Sequence, residues 1–419
     1  MKLINSTNPK KKHLPLLQAL FQQADDSRQG FGESKFYYVN YKNKKIKVAL
    51  THTIIKRQSK KGGNRYEVID STPLGKGSYG VVYPIKATIK IAEETLVVKH
   101  KAHGKRRVVK QRLHSTKTMD EAVNEYIITH MTPHSHPKYP VVYGHHIYSV
   151  SRRMEGRELF DIINDDFLHK QELTLKQRFE LSIRLIEALQ TQVFDAGLVH
   201  RDLKPENIIV DMDEGLVGTI DFGLAKIGEG YVNNDAVGSP LYVSPEVFQG
   251  SGTTQLSDVY GLGRILALLW RVDLTSYDTN LTASQLYTNA KKNNYSNLFV
   301  GIKSTLEPEV ALIIQEIIEG MTAFNPKNRL DLKGALTKFH TAQNLQFPKS
   351  TTNAIINVSA DEDSMPFNTN TIKIAKNEPT PNPPKKTKKW GLFFKASKKE
   401  ELSMLPKEEE KKPGKSDIY

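Results

Sequence analysis

The 419-residue chain contains no cysteine. That excludes a disulfide framework and cysteine-ligated zinc or iron–sulfur sites, and it fits a reducing compartment. Long apolar runs are also missing. The most apolar stretch, Val259 to Trp270, is about twelve residues long and carries Arg264, too short to span a bilayer; it reads as a buried core helix. The N-terminal segment MKLINSTNPKKKHLPLL lacks the apolar centre of a secretory leader. Acidic residues are outnumbered, 46 Asp and Glu against 60 Lys and Arg, for a net charge of +14. Such a balance favours acidic partners, a membrane surface or nucleic acid without choosing among them. What is present, 38% apolar and 25% charged residues, is enough for a real core with a generous polar remainder.

Residues 1–34 carry a lysine cluster and an apolar stripe, Leu14, Leu17, Leu20 and Phe21, spaced for one amphipathic helix. Over 35–65, KFYYVNY and KIKVALTHTII alternate around Lys-Asn-Lys, and predict a strand pair placed before the main domain. Strand character continues from Tyr66 to about Leu113, helix character follows over Asp120 to Met131, and the chain from Phe160 to about Gln346 is mostly helical by period. Strands first and helices later imply two lobes with a cleft between them. From 347 to 384 Asn, Thr, Ser and Pro dominate without apolar period, the composition of a disordered linker. No internal repeat is evident.

Three segments then occur in an order that phosphoryl transfer requires: a cradle for the phosphates, metal ligands, and a base beside the acceptor hydroxyl. The first is Gly75-Lys76-Gly77-Ser78-Tyr79-Gly80 with Val82, following the strand-like RYEVIDSTPL; its glycines let backbone amides approach phosphates. The second is His200-Arg201-Asp202-Leu203-Lys204-Pro205-Glu206-Asn207, and the third is Asp221-Phe222-Gly223. Together they closely resemble the eukaryotic-type serine/threonine protein kinase family over roughly Tyr66 to Gln343. The resemblance implies an α+β, bilobal kinase fold occupying 66–346. It implies that Asp202 accepts the substrate hydroxyl proton, Lys204 contacts the transferring phosphoryl group, and Asn207 and Asp221 hold magnesium beside ATP. Ser244-Pro245-Glu246 stands where the family has Ala-Pro-Glu, Arg329 where an arginine pairs with that glutamate, and Asp258 where an aspartate braces the catalytic loop.

Two lysines compete for the ATP-anchoring position. Lys99 follows Gly75 by 24 residues and Lys110 by 35, so the glycine loop favours Lys99. The expected partner Glu125 lies 15 residues after Lys110 and 26 after Lys99, which favours Lys110, and Lys110 is preferred. LVVKHK and RRVVKQRL are then expected to be neighbouring antiparallel strands turning at His103-Gly104. Downstream, the similarity of Met154-Glu-Gly-Arg-Glu158 to the segment after the interlobe linker puts Ser151 at the gatekeeper position. Arg152 to Met154 would lie beside the adenine. Glu158 either reaches the ribose or is a helix N-terminal acid.

Lys204 and Gly238-Ser239-Pro-Leu-Tyr242 resemble the serine/threonine rather than the tyrosine branch. Arg201 often pairs with a phosphate or acid that orders the activation segment, for which Tyr231, Ser239, Glu229 and Asp235 are candidates. His130, His134, His136, His145 and His146 lack regular ligand spacing and read as loop and strand-edge residues rather than a metal site.

Within 385–419, residues 385–399 hold seven lysines around Trp390, Leu392, Phe393 and Phe394 with no acid. Such a run is expected to meet an anionic membrane surface, the alternative being a solvated or import-like charge run. The stretch KEEEKKPGKSDIY is similar to C-terminal export signals of type IV secretion effectors. It implies a kinase made in a bacterial cytoplasm, exported into a host cell and acting on host proteins, with no nucleic-acid partner. The rival from another class is a pseudokinase scaffold, against which the joint presence of Asp202, Asn207, Asp221 and a lysine argues. A lipid or small-molecule kinase is weaker, because GSPLYVSPE resembles a peptide-docking loop.

Overall fold

The computed structural model describes residues 1–25, 36–58, 64–77, 80–92, 95–100, 106–133, 135–228, 238–273, 282–292 and 295–348. Ser78, Tyr79, His103, Gly104, His134, Glu229, Tyr231, Asp235, the segment from 349 to 384 and the run at 385–419 lie outside the described residues.

The chain opens with strand β1 (Lys2–Ile4), helix α1 (Leu14–Asp25) and strands β2 (Tyr37–Tyr41) and β3 (Lys44–Leu50). Lys42 and Asn43 both take positive φ, the backbone that a two-residue hairpin turn requires. β1 pairs parallel to β3 and β2 antiparallel to it, giving a small sheet ordered β1–β3–β2. Helix α1 buries Leu16, Leu17, Leu20 and Phe21 against Ile4, Val39 and Val48. Leu16 rather than the expected Leu14 belongs to the buried stripe, because the helix rotates its face toward the sheet.

The main sheet is built from β4 (Ile54–Gln58), β5 (Asn64–Ile69), β6 (Gly75–Gly77), β7 (Gly80–Ala92), β8 (Thr95–His100), β9 (Arg107–Leu113), β10 (Lys138–Tyr143) and β11 (His146–Arg152), with helix α2 (Thr116–Met131) between β9 and β10. Its order is β10–β11–β9–β7–β5–β4, with β6 and β8 also paired to β7. Two expectations are corrected. KIKVALTHTII is not one strand: β3 ends at Leu50, and Ile54–Gln58 crosses into the main sheet against β5. Nor does LVVKH pair with RVVKQRL. The long β7 carries β9 beside residues 81–84 and β8 beside residues 87–92, so β8 folds back on β7 as a hairpin.

The N-terminal unit is not an appendage. Ile54, Tyr66, Val68, Ala87 and Ile89 of the main sheet share its core, and Phe21 stacks on Tyr66 with ring centroids 4.2 Å apart.

The second half contains short strands β12 (Arg157–Glu158), β13 (Leu198–Val199), β14 (Ile208–Asp211), β15 (Leu216–Thr219) and β16 (Lys226–Ile227). Its helices are α3 (Leu159–Phe167), α4 (Leu175–Leu189), α5 (Pro245–Phe248), α6 (Gln255–Leu269), α7 (Ala283–Lys292), α8 (Pro308–Met321) and α9 (Leu332–Gln346). Side-chain caps start α4, α6 and α9 where the sequence changes period. Thr174 and Gln177 form a reciprocal box at α4, as do Thr254 and Ser257 at α6. Phe179, Ile186, Leu266, Trp270, Ile314 and Phe339 fill one helical core. Val259 to Trp270 is the buried helix its composition implied, and no described helix is long and apolar enough to cross a membrane.

Candidate active site

The site grows from the loop after β13. Asp258, in the first turn of α6, is buried and accepts the backbone amides of His200 at 2.6 Å and Arg201 at 3.0 Å. Those bonds hold Arg201 at φ 68°, a left-handed conformation costly for a residue with a side chain. Burial pushes the Asp258 carboxyl up, against the pull of His200 and the two amides. The His200 ring tilts against Phe222 at 5.0 Å, and its Nε2 lies 3.2 Å from the Ile220 carbonyl. One helix-borne aspartate thus shapes the turn that presents the next residue.

That residue, Asp202, is held on every side. Asn207 Nδ2 donates to its backbone carbonyl at 2.8 Å and to Oδ2 at 3.0 Å. Lys204 Nζ lies 3.0 Å from Oδ2, and Ser239 Oγ donates to Oδ1 at 2.9 Å while accepting from Lys204 Nζ at 2.8 Å. Ser239, also a candidate for ordering the activation segment, therefore ties the 238–242 segment to the loop that carries Asp202. The Asn207 carbonyl accepts the Ile220 amide at 2.8 Å, which brings Asn207 beside Asp221. Asn207 spends its amide nitrogen on Asp202, so its oxygen side is left for a cation. An amide oxygen and a carboxylate form a donor set that suits magnesium, which takes few protein oxygens and completes its shell with phosphates and water.

Lys110 crosses between the two halves of the fold. Its Nζ lies 3.2 Å from Glu125 Oε1 on α2 and 2.6 Å from Asp221 Oδ1. Burial pushes the Lys110 ammonium down, opposed by the Asp221 charge. Burial would raise Asp221, but the charge and hydrogen bond of Lys110 hold it below the usual aspartate range. Asp221 itself sits at φ 61°. Arg112, two residues along β9 on the same face as Lys110, also pairs with Glu125. The sequence reading missed Arg112, although Lys-x-Arg in a strand with a single facing acid was a usable signal. Helix α2 is registered for this contact by its cap: Thr118 N donates to Ser115 Oγ at 3.1 Å, and Ser115 N to Thr118 Oγ1 at 2.8 Å.

Lys99 is exposed on β8, opposite Thr88, and no contact with Glu125 is recorded for it among the described residues. The glycine loop lies over Lys110 through strand register: Gly75, Lys76 and Gly77 face Val82, Val81 and Gly80, and Val82 faces Lys110. Gly80 has φ 124°, and a Cβ there would strike the Gln111 carbonyl, so only glycine fits.

At the other edge, Ser151 stands opposite Val108 on β9. The amides of Arg152 and Arg153 are committed to the Ser135 carbonyl at 2.7 Å and the Arg106 carbonyl at 3.0 Å. Met154 packs its thioether onto Gly218 of β15, where a Cβ would not fit. Glu158 is exposed at the N-cap of α3 and makes no side-chain cap. Farther out, Arg329 grips Glu246 with Nη1 to Oε1 at 2.7 Å and Nη2 to Oε2 at 2.6 Å, and Ser257 Oγ adds a bond at 2.9 Å. Among the described residues no group of three His, Asp or Glu side chains is placed to hold a metal.

A bilobal α+β fold with an interlobe lysine, a braced Asp202 and an Asp-Phe-Gly aspartate in one cluster defines a phosphotransferase class. The protein kinase domain model matches residues 68–340, more than half of the chain, which belongs to that family. CBL-interacting protein kinase 1 of Oryza sativa subsp. japonica is 33% identical over 197 residues, covering 45% of this chain and 38% of the relative. Maternal embryonic leucine zipper kinase of Danio rerio is 35% identical over 195 residues, covering 45% and 26%. A probable serine/threonine-protein kinase of Clostridium perfringens is 36% identical over 122 residues, covering 28% and 17%. The match thus spans less than two fifths of the length of these curated relatives. The family takes ATP as phosphoryl donor, typically with magnesium.

Proposed function

We propose that the chain is a serine/threonine protein kinase that transfers the γ-phosphoryl group of ATP to a protein hydroxyl. The observation that carries this reading is the unbroken chain of contacts Glu125–Lys110–Asp221 beside Ser239–Asp202–Lys204. In this reading the glycine-rich segment 75–80 covers the triphosphate and Lys110 steadies it. Asp202 accepts the proton of the attacking hydroxyl, and Lys204 offsets charge on the moving phosphoryl group. Asn207 and Asp221 would hold magnesium, which when bound neutralises phosphate charge. Met154 offers backbone groups to the adenine beside Ser151 and Arg152, and Glu158 lies near the ribose. The docking loop at 238–242 supports a peptide acceptor. Incubating the purified chain with labelled ATP, magnesium and eukaryotic lysate should yield phosphoserine and phosphothreonine; label confined to lipid or small molecules would overturn the reading.

The composition of residues 407–419 supports a finer reading, a bacterial kinase exported into host cells and directed at host proteins. The lysine–aromatic run at 385–399 supports attachment to anionic membranes.

A further inference from the structure

Strand alternation gives the small β1–β3–β2 sheet two unlike faces. Ile4, Val39 and Val48 lie on the inner one, in the core they share with α1. Register puts their neighbours on the outer face: Leu3 beside Ala49, Tyr38 beside Lys47 and Asn40 beside Lys45. Phe36, two residues before Tyr38, sets its ring edge-on to the Tyr38 ring with centroids 5.7 Å apart. The large apolar side chains here are open to solvent: Leu3 is 63% exposed, Tyr38 55% and Phe36 42%. Lys45 is exposed beside them.

The charge around these side chains is of one sign. Segments 1–13 and 36–50 hold eight lysines, no arginine and no acid. Helix α1 adds a single acid, Asp25, at its last residue. Two of the lysines sit on the rings: Lys47 Nζ lies 3.6 Å from the Phe36 ring centroid, and Lys45 Nζ 5.0 Å from that of Tyr38. That arrangement disfavours two kinds of occupant. Single-stranded nucleic acid stacks its bases on aromatic faces, and here an ammonium group already lies over each ring. A discrete phosphate or carboxylate is held best by forked guanidiniums, and these segments contain none. Lysines on flexible stems among apolar side chains match a diffuse layer of negative headgroups over hydrocarbon. The ammonium groups stay at headgroup level while Leu3, Phe36 and Tyr38 enter the boundary below.

We infer that the outer face of the β1–β3–β2 sheet, with Leu3, Phe36 and Tyr38 among Lys45 and Lys47, is a docking surface for an anionic lipid membrane. It is separate from the lysine–aromatic run at 385–399 and from the residues of phosphoryl transfer, and it rests on neither reading.

The test is co-sedimentation of the full chain, without ATP, with vesicles of phosphatidylcholine alone or mixed with phosphatidylserine, so that the result is independent of catalysis. The chain should bind the mixed vesicles, and binding should weaken as salt screens the headgroups. Lys45→Gln combined with Lys47→Gln should lower the partition coefficient by about tenfold, because two lysines near the surface are lost. Lys45→Arg with Lys47→Arg should bind like wild type. Leu3→Ser with Tyr38→Ser should weaken binding at every salt concentration, since the loss is of apolar insertion. Lys327→Gln with Lys333→Gln removes the same charge from exposed positions in the other lobe and should leave binding near wild type. Melting temperatures of all four variants should stay near that of the parent. Four results would overturn the inference: no binding to the mixed vesicles, wild-type binding by the Lys45 and Lys47 glutamine variant, equal loss in the Lys327 and Lys333 variant, or preference for a single-stranded oligonucleotide or an acidic peptide over the vesicles.

Discussion

At the scale of single residues, chemistry depends on which lysine meets Glu125. Spacing from the glycine loop and spacing to the helix pointed to different answers, because loop-to-lysine spacing assumes a short intervening hairpin. Here β7 runs for 13 residues and β8 folds back on it before β9 begins, so the extra length lies entirely between Gly75 and Lys110. The distance to Glu125 is not stretched by that hairpin. Lys110→Met is expected to remove most phosphoryl transfer while Lys99→Met leaves it near wild type, measured as kcat/KM for ATP. The reverse order would mean that the ion pair of Lys110 with Glu125 and Asp221 serves only to join the two lobes. Arg112 was missed although its spacing set it on the face of Lys110, since partner choice across a sheet and a helix depends on which face of the helix is presented.

At the scale of elements, short helix α5 is fixed by one buried ion pair. The Glu246 and Arg329 side chains are 11% and 0% exposed. Burial would raise the Glu246 carboxyl, but the hydrogen bonds and charge of Arg329 hold it below the usual range. A carboxylate whose folded pKa is lowered contributes stability above its unfolded value of about 4.3, and loses it as pH falls through the lowered one. Thermal stability should therefore drop on acidification below the ordinary glutamate range. Glu246→Gln should lower stability at neutral pH and flatten that dependence. Arg329→Met, which strands the buried acid, should cost about 3–5 kcal/mol at neutral pH. A melting temperature insensitive to both changes would show that α5 is held by packing alone. The motif residues Ser244-Pro245-Glu246 and Arg329 were legible through their resemblance to the family's motif and its partner arginine, which here pair across 83 residues. The three-residue β1 was not, since it pairs parallel to β3 and its register depends on where α1 packs.

At the scale of the whole molecule, the kinase fold from 68 to 340 was readable because phosphate cradling, metal ligation and proton acceptance demand fixed residue types in fixed order. The first 50 residues carry no such demand. Their helix stripe and strand alternation showed element types, yet not that Phe21 would stack on Tyr66 and join both units in one core. The central claim is that this assembly places Asp202 as the base for an incoming hydroxyl. Its most direct test is the single-turnover rate of γ-phosphoryl transfer by Asp202→Ala, with nucleotide affinity and melting temperature measured on the same protein. The rate should fall by about 10²–10⁴-fold while nucleotide affinity stays near wild type. Although Asp202 also contacts Ser239 and Lys204, the melting temperature should stay within a few degrees of wild type. A variant that transfers phosphate at the wild-type rate would contradict the account.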